Sequence, residues 1–219
     1  MTLSSRTKTL AAVCLVPVTM FAVIVFSFAI QPATISAASG AERDATFTLT
    51  YSKDGDLTPP LKYREWTYLT TGFNMSYLPD TGNDMAKFDN VFVNPEAYRT
   101  FQATGAWPDK TVLVLEGRGG ESKGSINKAG HFQSGGVTGL ELHVKDESRF
   151  PGKWAFFDVE NESKATLVPQ TASCYSCHAE HAAVDTTFVQ FYPTLLPIAQ
   201  KKSTLSASYL KEIAAGQGK

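Results

Sequence analysis

Two cysteines and a histidine stand together near the C-terminus, in Cys174-Tyr175-Ser176-Cys177-His178. Two thiols two residues apart can each add to one of the neighbouring vinyl groups of a haem. The histidine after the second thiol is then held against the iron as an axial ligand. The same residues admit three other readings: a thioredoxin-like dithiol, half of a zinc site, and coincidence. A redox dithiol wants the pair after a strand, at a helix start in a βαβ unit, and no such unit is visible. A structural zinc site wants a second Cys or His pair. The one other cysteine, Cys14, lies in a long apolar stretch, with no lipobox around it. Motif, spacing and compartment together favour one covalently attached haem c, on Cys174 and Cys177, with His178 as the axial iron ligand.

The compartment is read from the first residues. Arg6 and Lys8 precede a charge-free apolar stretch over residues 10–30, and Ser36-Ala37-Ala38 offers small residues to a signal peptidase. Residues 1–38 therefore read as an export signal and the domain as periplasmic. The stretch reaches the ~20 residues a membrane span needs, so a retained anchor is the alternative. Pro17 within it favours cleavage. The 219-residue chain has a formal net charge of −1. Without a basic excess, nucleic acid is not an expected partner. What remains after the signal is long enough for one domain with a real core.

The elements that must position the motif follow in order. Residues 39–60 form an N-terminal arm, in which the alternation of residues 47–51 suggests a short strand. Strands are expected at 66–73, 88–93, 111–116, 137–145 and 154–159. A helix starts at Asn94-Pro95-Glu96, with Asn94 as cap, and ends at Gly105. The glycine-rich stretch 117–136 reads as a long loop. A short helix continues from the cysteines, Pro193 and Pro197 act as breaks, and 203–215 is a weak helix before a fraying tail. The haem-bearing domain is assigned to 61–200 and the final helix and tail to 201–219. The fold class is α+β: a mainly antiparallel β-sheet with a few helices and the haem motif near the C-terminus.

With the motif at its far end, this order resembles the cytochrome P-460 family and its close relative cytochrome c′-β. The matching segments are Tyr63-Arg64-Glu65-Trp66, Val91-Phe92-Val93-Asn94-Pro95-Glu96, Thr111-Val112-Leu113-Val114, Gly139-Leu140-Glu141, Val144-Lys145-Asp146, Trp154-Ala155-Phe156, Cys174 to His178, and Phe188 to Pro193. The resemblance implies a mainly β, homodimeric, periplasmic protein with one five-coordinate haem c. Members of the P-460 branch oxidise hydroxylamine and cross-link a lysine to the haem ring; those of the c′-β branch lack that bond and bind nitric oxide. Aligned without gaps, the cross-linking lysine falls on Leu115, which cannot form an amine bond. Lys110, Lys123 and Lys128 are out of register. The resemblance therefore leans toward c′-β behaviour.

On a strand, Leu113 and Leu115 share one face and Val112 and Val114 the other. If the first face packs on the haem, Leu115 crowds the distal position; ordinary core packing gives the same pattern. Phe132 is a further distal candidate, and Met85 a candidate sixth ligand, each weighed against plain packing. Glu141 could relay protons if burial raises its pKa, or could be a simple exposed strand residue. His143 alternates with Glu141 on one face; His131, His143 and His181 read as surface or hydrogen-bonded histidines. Arg64 and Arg118 are candidates for the haem propionates. The function expected is binding or conversion of nitrogen oxides (nitric oxide, or hydroxylamine) at an open haem, served by a redox partner protein. The alternative is an electron-transfer cytochrome with a six-coordinate haem, its sixth ligand drawn from Met85, His131 or His143.

Overall fold

The computed structural model describes residues 47–77 and 86–216. Residues 1–38, read from the sequence as an export signal, and Met85 lie outside the described residues. Two units separate along the chain, residues 1–44 and 45–219, and the second carries all the described structure. Among the described residues, no helix is long and apolar enough to cross a membrane.

Six antiparallel strands pair in sequence order: β1 (Thr67–Phe73), β2 (Lys87–Val93), β3 (Val112–Glu121), β4 (Phe132–Lys145), β5 (Trp154–Asn161) and β6 (Lys164–Leu167). Helix α1 (Pro95–Thr104) bridges β2 and β3, and α2 (Ser173–His181), α3 (Leu196–Lys202) and α4 (Ala207–Ala214) follow the sheet. The architecture is α+β with an antiparallel sheet. β3 is central because its residues 112–115 are all apolar, so it can be covered on both sides.

Register divides those residues between the two faces. Leu115 pairs with Val91 and Glu141, and Leu113 pairs with Val93 and His143. All six side chains share one face, because strand side chains alternate. On that face Leu113, Val93, Val91 and Leu69 join Phe101 and Trp107 near α1, and Tyr192, Leu195 and Tyr209 from the C-terminal segment. On the other face Val112, Val114, Leu142 and Phe157 pack beneath Leu57 of the arm and Tyr63 just after it. Pairing Leu113 and Leu115 opposite Val112 and Val114 by parity thus matches the sheet.

Several expectations differ from the structure. Residues 117–136 are not one loop: β3 runs on to Glu121 and β4 begins at Phe132. The glycines hid this, since glycine is a poor strand former. Here they permit close approach, for the Gly120 N–H donates to the Ala86 carbonyl at 2.6 Å and a Cβ at 120 would lie 2.5 Å from the Ala86 Cβ. Two register shifts beside Arg118 absorb the irregularity. Residues 47–51 form no strand; only a bridge from Tyr51 to Leu57 and another from Leu57 to Ala165 stitch the arm to the sheet edge. Asn94 does not cap α1 with its side chain. Its Oδ1 accepts from the Val112 N–H at 2.8 Å instead, which ties the helix start to β3. Gly105, at φ 78°, ends α1 as expected. Pro197 starts α3 rather than breaking the chain, because proline fits the first helical turn.

Candidate functional site

Helix α2 carries the three residues of the sequence motif. Cys174 and Cys177 are three apart, and Cys174 and His178 four apart, so one side of the helix presents all three. Both thiols are free and partly accessible. Enclosure by the protein pushes the Cys177 thiol up, and Glu180 adds to that. Tyr175, between the cysteines, docks the helix on the sheet. Its hydroxyl donates to the Val168 carbonyl at 3.0 Å and accepts from the Phe156 N–H at 3.1 Å. Its ring meets Phe156 edge-on at 4.8 Å.

His178 is the best-defined member. Its Nδ1–H donates to the Thr186 carbonyl at 2.7 Å. That bond selects the tautomer and leaves Nε2 with a free lone pair, the arrangement a metal-bound histidine requires. Burial lowers the ring's pKa, with the Thr186 carbonyl acting weakly the other way, so the imidazole is neutral and able to ligate. Phe188 at 4.2 Å, Phe156 at 4.6 Å and His143 at 5.1 Å fix the ring plane from three sides.

His178 opens onto a cavity of about 420 Å³. The sheet supplies one wall through Val91, Leu113, Leu115, Glu141 and His143; the C-terminal segment supplies Phe188, Phe191 and Tyr192. Mostly apolar walls with a few convergent polar groups are what a bound prosthetic group needs. Leu115 and Glu141, chosen from the sequence, therefore share one cavity with His178. Phe132 is not among the lining residues; its ring sits at the far end of β4 against Gly124, where a Cβ would come within 2.9 Å. His131 stacks on Phe73 at 5.4 Å, also off the lining. His181 bonds Glu212 on α4.

Arg64 and Arg118 are on the opposite face of the sheet. Both guanidinium groups bond the Glu116 carboxylate, as does the Tyr63 hydroxyl. Burial alone would raise the Glu116 pKa, but the hydrogen bonds from Arg118, Tyr63 and Arg64 outweigh it and hold it at about 2. The propionate role considered for the two arginines does not survive this placement.

Glu141 stands on the cavity wall yet is solvent-accessible. Enclosure pushes its carboxyl up, the nearby Asp158 adds to that, and Lys87 opposes it. Lys87 is the one lysine on the described cavity lining, and it pairs with Asp89 at 3.0 Å. Lys110 is elsewhere, bonded to Asp146. Among the lining residues that the sequence did not mark as site candidates are Met75, Phe156 and Phe188. Gly72 makes room for Met75, since a Cβ there would lie 2.7 Å from the Met75 sulfur. The pairing of β4 with β5 sets Phe156 opposite His143, which gives Phe156 its place on the wall.

The residues fit a haem: a neutral histidine with Nε2 in reserve, two free thiols on the same side of its helix, and a mostly apolar cavity that His178 itself lines. An antiparallel sheet holding such a cavity against a histidine-bearing helix defines a β-sheet haem protein, distinct from the all-helical cytochromes. Residues 60–189 match the family model for Cytochrome P460. The chain belongs to the cytochrome P460 family, whose cofactor is haem and whose members often act on nitrogen compounds. No curated protein matches the chain.

Proposed function

We propose that this is an exported, periplasmic mono-haem cytochrome that binds or converts nitrogen oxides at an open haem face. Cys174 and Cys177 hold the haem through two thioether bonds and His178 ligates its iron through Nε2. When bound, the haem supplies an iron that exchanges electrons and takes a small ligand. The observation that carries the reading is Leu115 on the wall of the cavity that His178 faces. An aliphatic side chain there offers neither a sixth ligand nor an amine for a ring cross-link. Leu113 and Val91 extend that wall, so it favours small neutral ligands such as nitric oxide over charged ones. Glu141, whose carboxyl enclosure pushes up, stands on the same wall as a group that can take up and pass on a proton. A redox partner protein supplies or removes electrons, and the protein works as a homodimer.

The absorption spectrum of the purified ferrous protein tests this, before and after nitric oxide. A high-spin, five-coordinate spectrum that changes on adding nitric oxide is expected, with a haem peptide whose mass shows two thioether links and no lysine bond. A six-coordinate, low-spin spectrum would overturn it. That outcome belongs to the second reading, a pure electron carrier, which one observation favours: Met75 lines the cavity and its thioether can ligate iron. Replacing Met75 with leucine would then turn a low-spin spectrum high-spin.

A further inference from the structure

His143 is buried on the cavity wall beside His178, and its own hydrogen bond has so far been given no role. It stacks on Phe156 at 4.1 Å and 15°, and meets the rings of Trp154 at 4.5 Å and His178 at 5.1 Å. Its Nε2 shares a hydrogen bond of 3.2 Å with the Thr186 hydroxyl. Thr186 is the residue whose carbonyl accepts the His178 Nδ1–H. One residue therefore meets both histidines, one through its side chain and one through its backbone.

The turn that contains Thr186 is held at each of its four residues. Val184 and Thr187 bond each other through their backbones, at 2.9 and 3.3 Å. The Thr187 hydroxyl donates to the Val184 carbonyl and accepts from Trp107 Nε1 at 2.7 Å. Asp185, in the left-handed region at φ 53°, accepts from the buried Lys145 ammonium at 3.2 Å. A non-glycine residue keeps that conformation only where its surroundings over-determine it. His143 and Lys145 are two apart on β4 and so on one face, which makes the sheet the template for this turn.

We propose that His143 is a positioning residue for the axial histidine, acting through the turn at residues 184–187 that presents the Thr186 carbonyl to His178. This rests on the reading of His178 as the iron ligand. A carbonyl held at 2.7 Å makes the imidazole a stronger electron donor and favours the oxidised iron. Freeing the Thr186 side chain lets that carbonyl drift, weakens the donation and eases reduction.

The test uses the haem-loaded protein with H143F, T186V, T186S and the double variant H143F/T186V. Phenylalanine keeps an aromatic ring for the stacking and removes both ring nitrogens, of which Nε2 is the one bonded to Thr186; valine keeps the shape of threonine and removes only the hydroxyl. The readouts are the midpoint potential and the iron–histidine stretching frequency of the ferrous form. H143F and T186V should each raise the equilibrium constant for reduction, roughly tenfold if the effect matches the low end of what losing an outer partner of a metal-bound histidine costs in metal affinity. Each should also lower the stretching frequency. The double variant should match either single one, and T186S should keep the native values. Native potential and frequency in both single variants, with haem still bound, would overturn the proposal and leave the haem reading intact. Effects that simply add in the double variant would overturn it too. Absence of a histidine-ligated haem in the unaltered protein would overturn the haem reading and this proposal together. If H143F does not fold, T186V against T186S decides by itself.

Discussion

Replacing Glu116 with glutamine removes one charge from the middle of the sheet while keeping the size of the side chain. Glu116 is 3% exposed at its side chain and receives hydrogen bonds from Arg118, Tyr63 and Arg64. Its pKa falls from an ordinary 4.5 to about 2 in the folded protein. At about 1.4 kcal/mol for each pKa unit, that lowering corresponds to roughly 3 kcal/mol of folding free energy. Arg64 is 53% exposed and its share is screened by water, so about 2 to 3 kcal/mol is expected. The sign follows from a depressed carboxyl pKa. The stabilisation is complete above the unfolded value and is lost as the pH falls toward the folded one. Denaturant unfolding of the haem-loaded wild type and of E116Q, at neutral pH and near pH 3, measures the difference between them. It should be about 2 to 3 kcal/mol at neutral pH and shrink to about 1 kcal/mol near pH 3, because there the unfolded carboxyl has already taken up its proton and folding must remove it again. Contributions of other titrating groups cancel in the comparison. An equal difference at both pH values would refute the reasoning, since the cost would then come from shape and not from charge.

Tyr175→Phe removes the hydroxyl that bridges the Val168 carbonyl and the Phe156 N–H; thermal unfolding should show a loss of about 1 to 2 kcal/mol. Retention of full stability would mean that the bridge contributes nothing to docking α2. Glu141→Gln should stabilise the protein at neutral pH and have no effect in acid, because a raised carboxyl pKa makes the ionised form the less favourable one in the fold. Urea titrations at two pH values check this, and a loss of stability at neutral pH would contradict it.

Much of the sheet was legible because its signals are local. The run Val112 to Leu115 alternates between two covered faces, and α1 is framed by Pro95 and Gly105. The same parity put Leu113 with Leu115 and Glu141 with His143, and the pairing of β3 with β4 brings the two pairs to one face. What the sequence concealed depends on distant partners. The ends of β3 and β4 are rich in glycine, and only their pairing with each other makes them strands. β6 is four residues long and exists because β5 turns back on it. In the site, C-x-x-C-H identified its own residues, whereas the Thr186 carbonyl carries no sequence signal: any residue has one. His143 read as an ordinary histidine because its importance comes from 43 residues away, at Thr186. Arg64 and Arg118 invited a propionate role by charge alone, and Glu116, their actual partner, drew no notice as the end of a strand.

Leu115 and Glu116 are neighbours in the chain and face opposite ways across the sheet, one to the cavity and one to a cage of two arginines and a tyrosine. A slip of β3 by a single residue would exchange them, since strand side chains alternate. The carboxylate would then enter the apolar slot, and the guanidinium groups would surround a leucine. Both halves of that error are costly, so the misaligned sheet is excluded from two sides at once. The charge cage thereby acts as a specificity device against a competing fold, and it guards the chemistry of a cavity that it never touches.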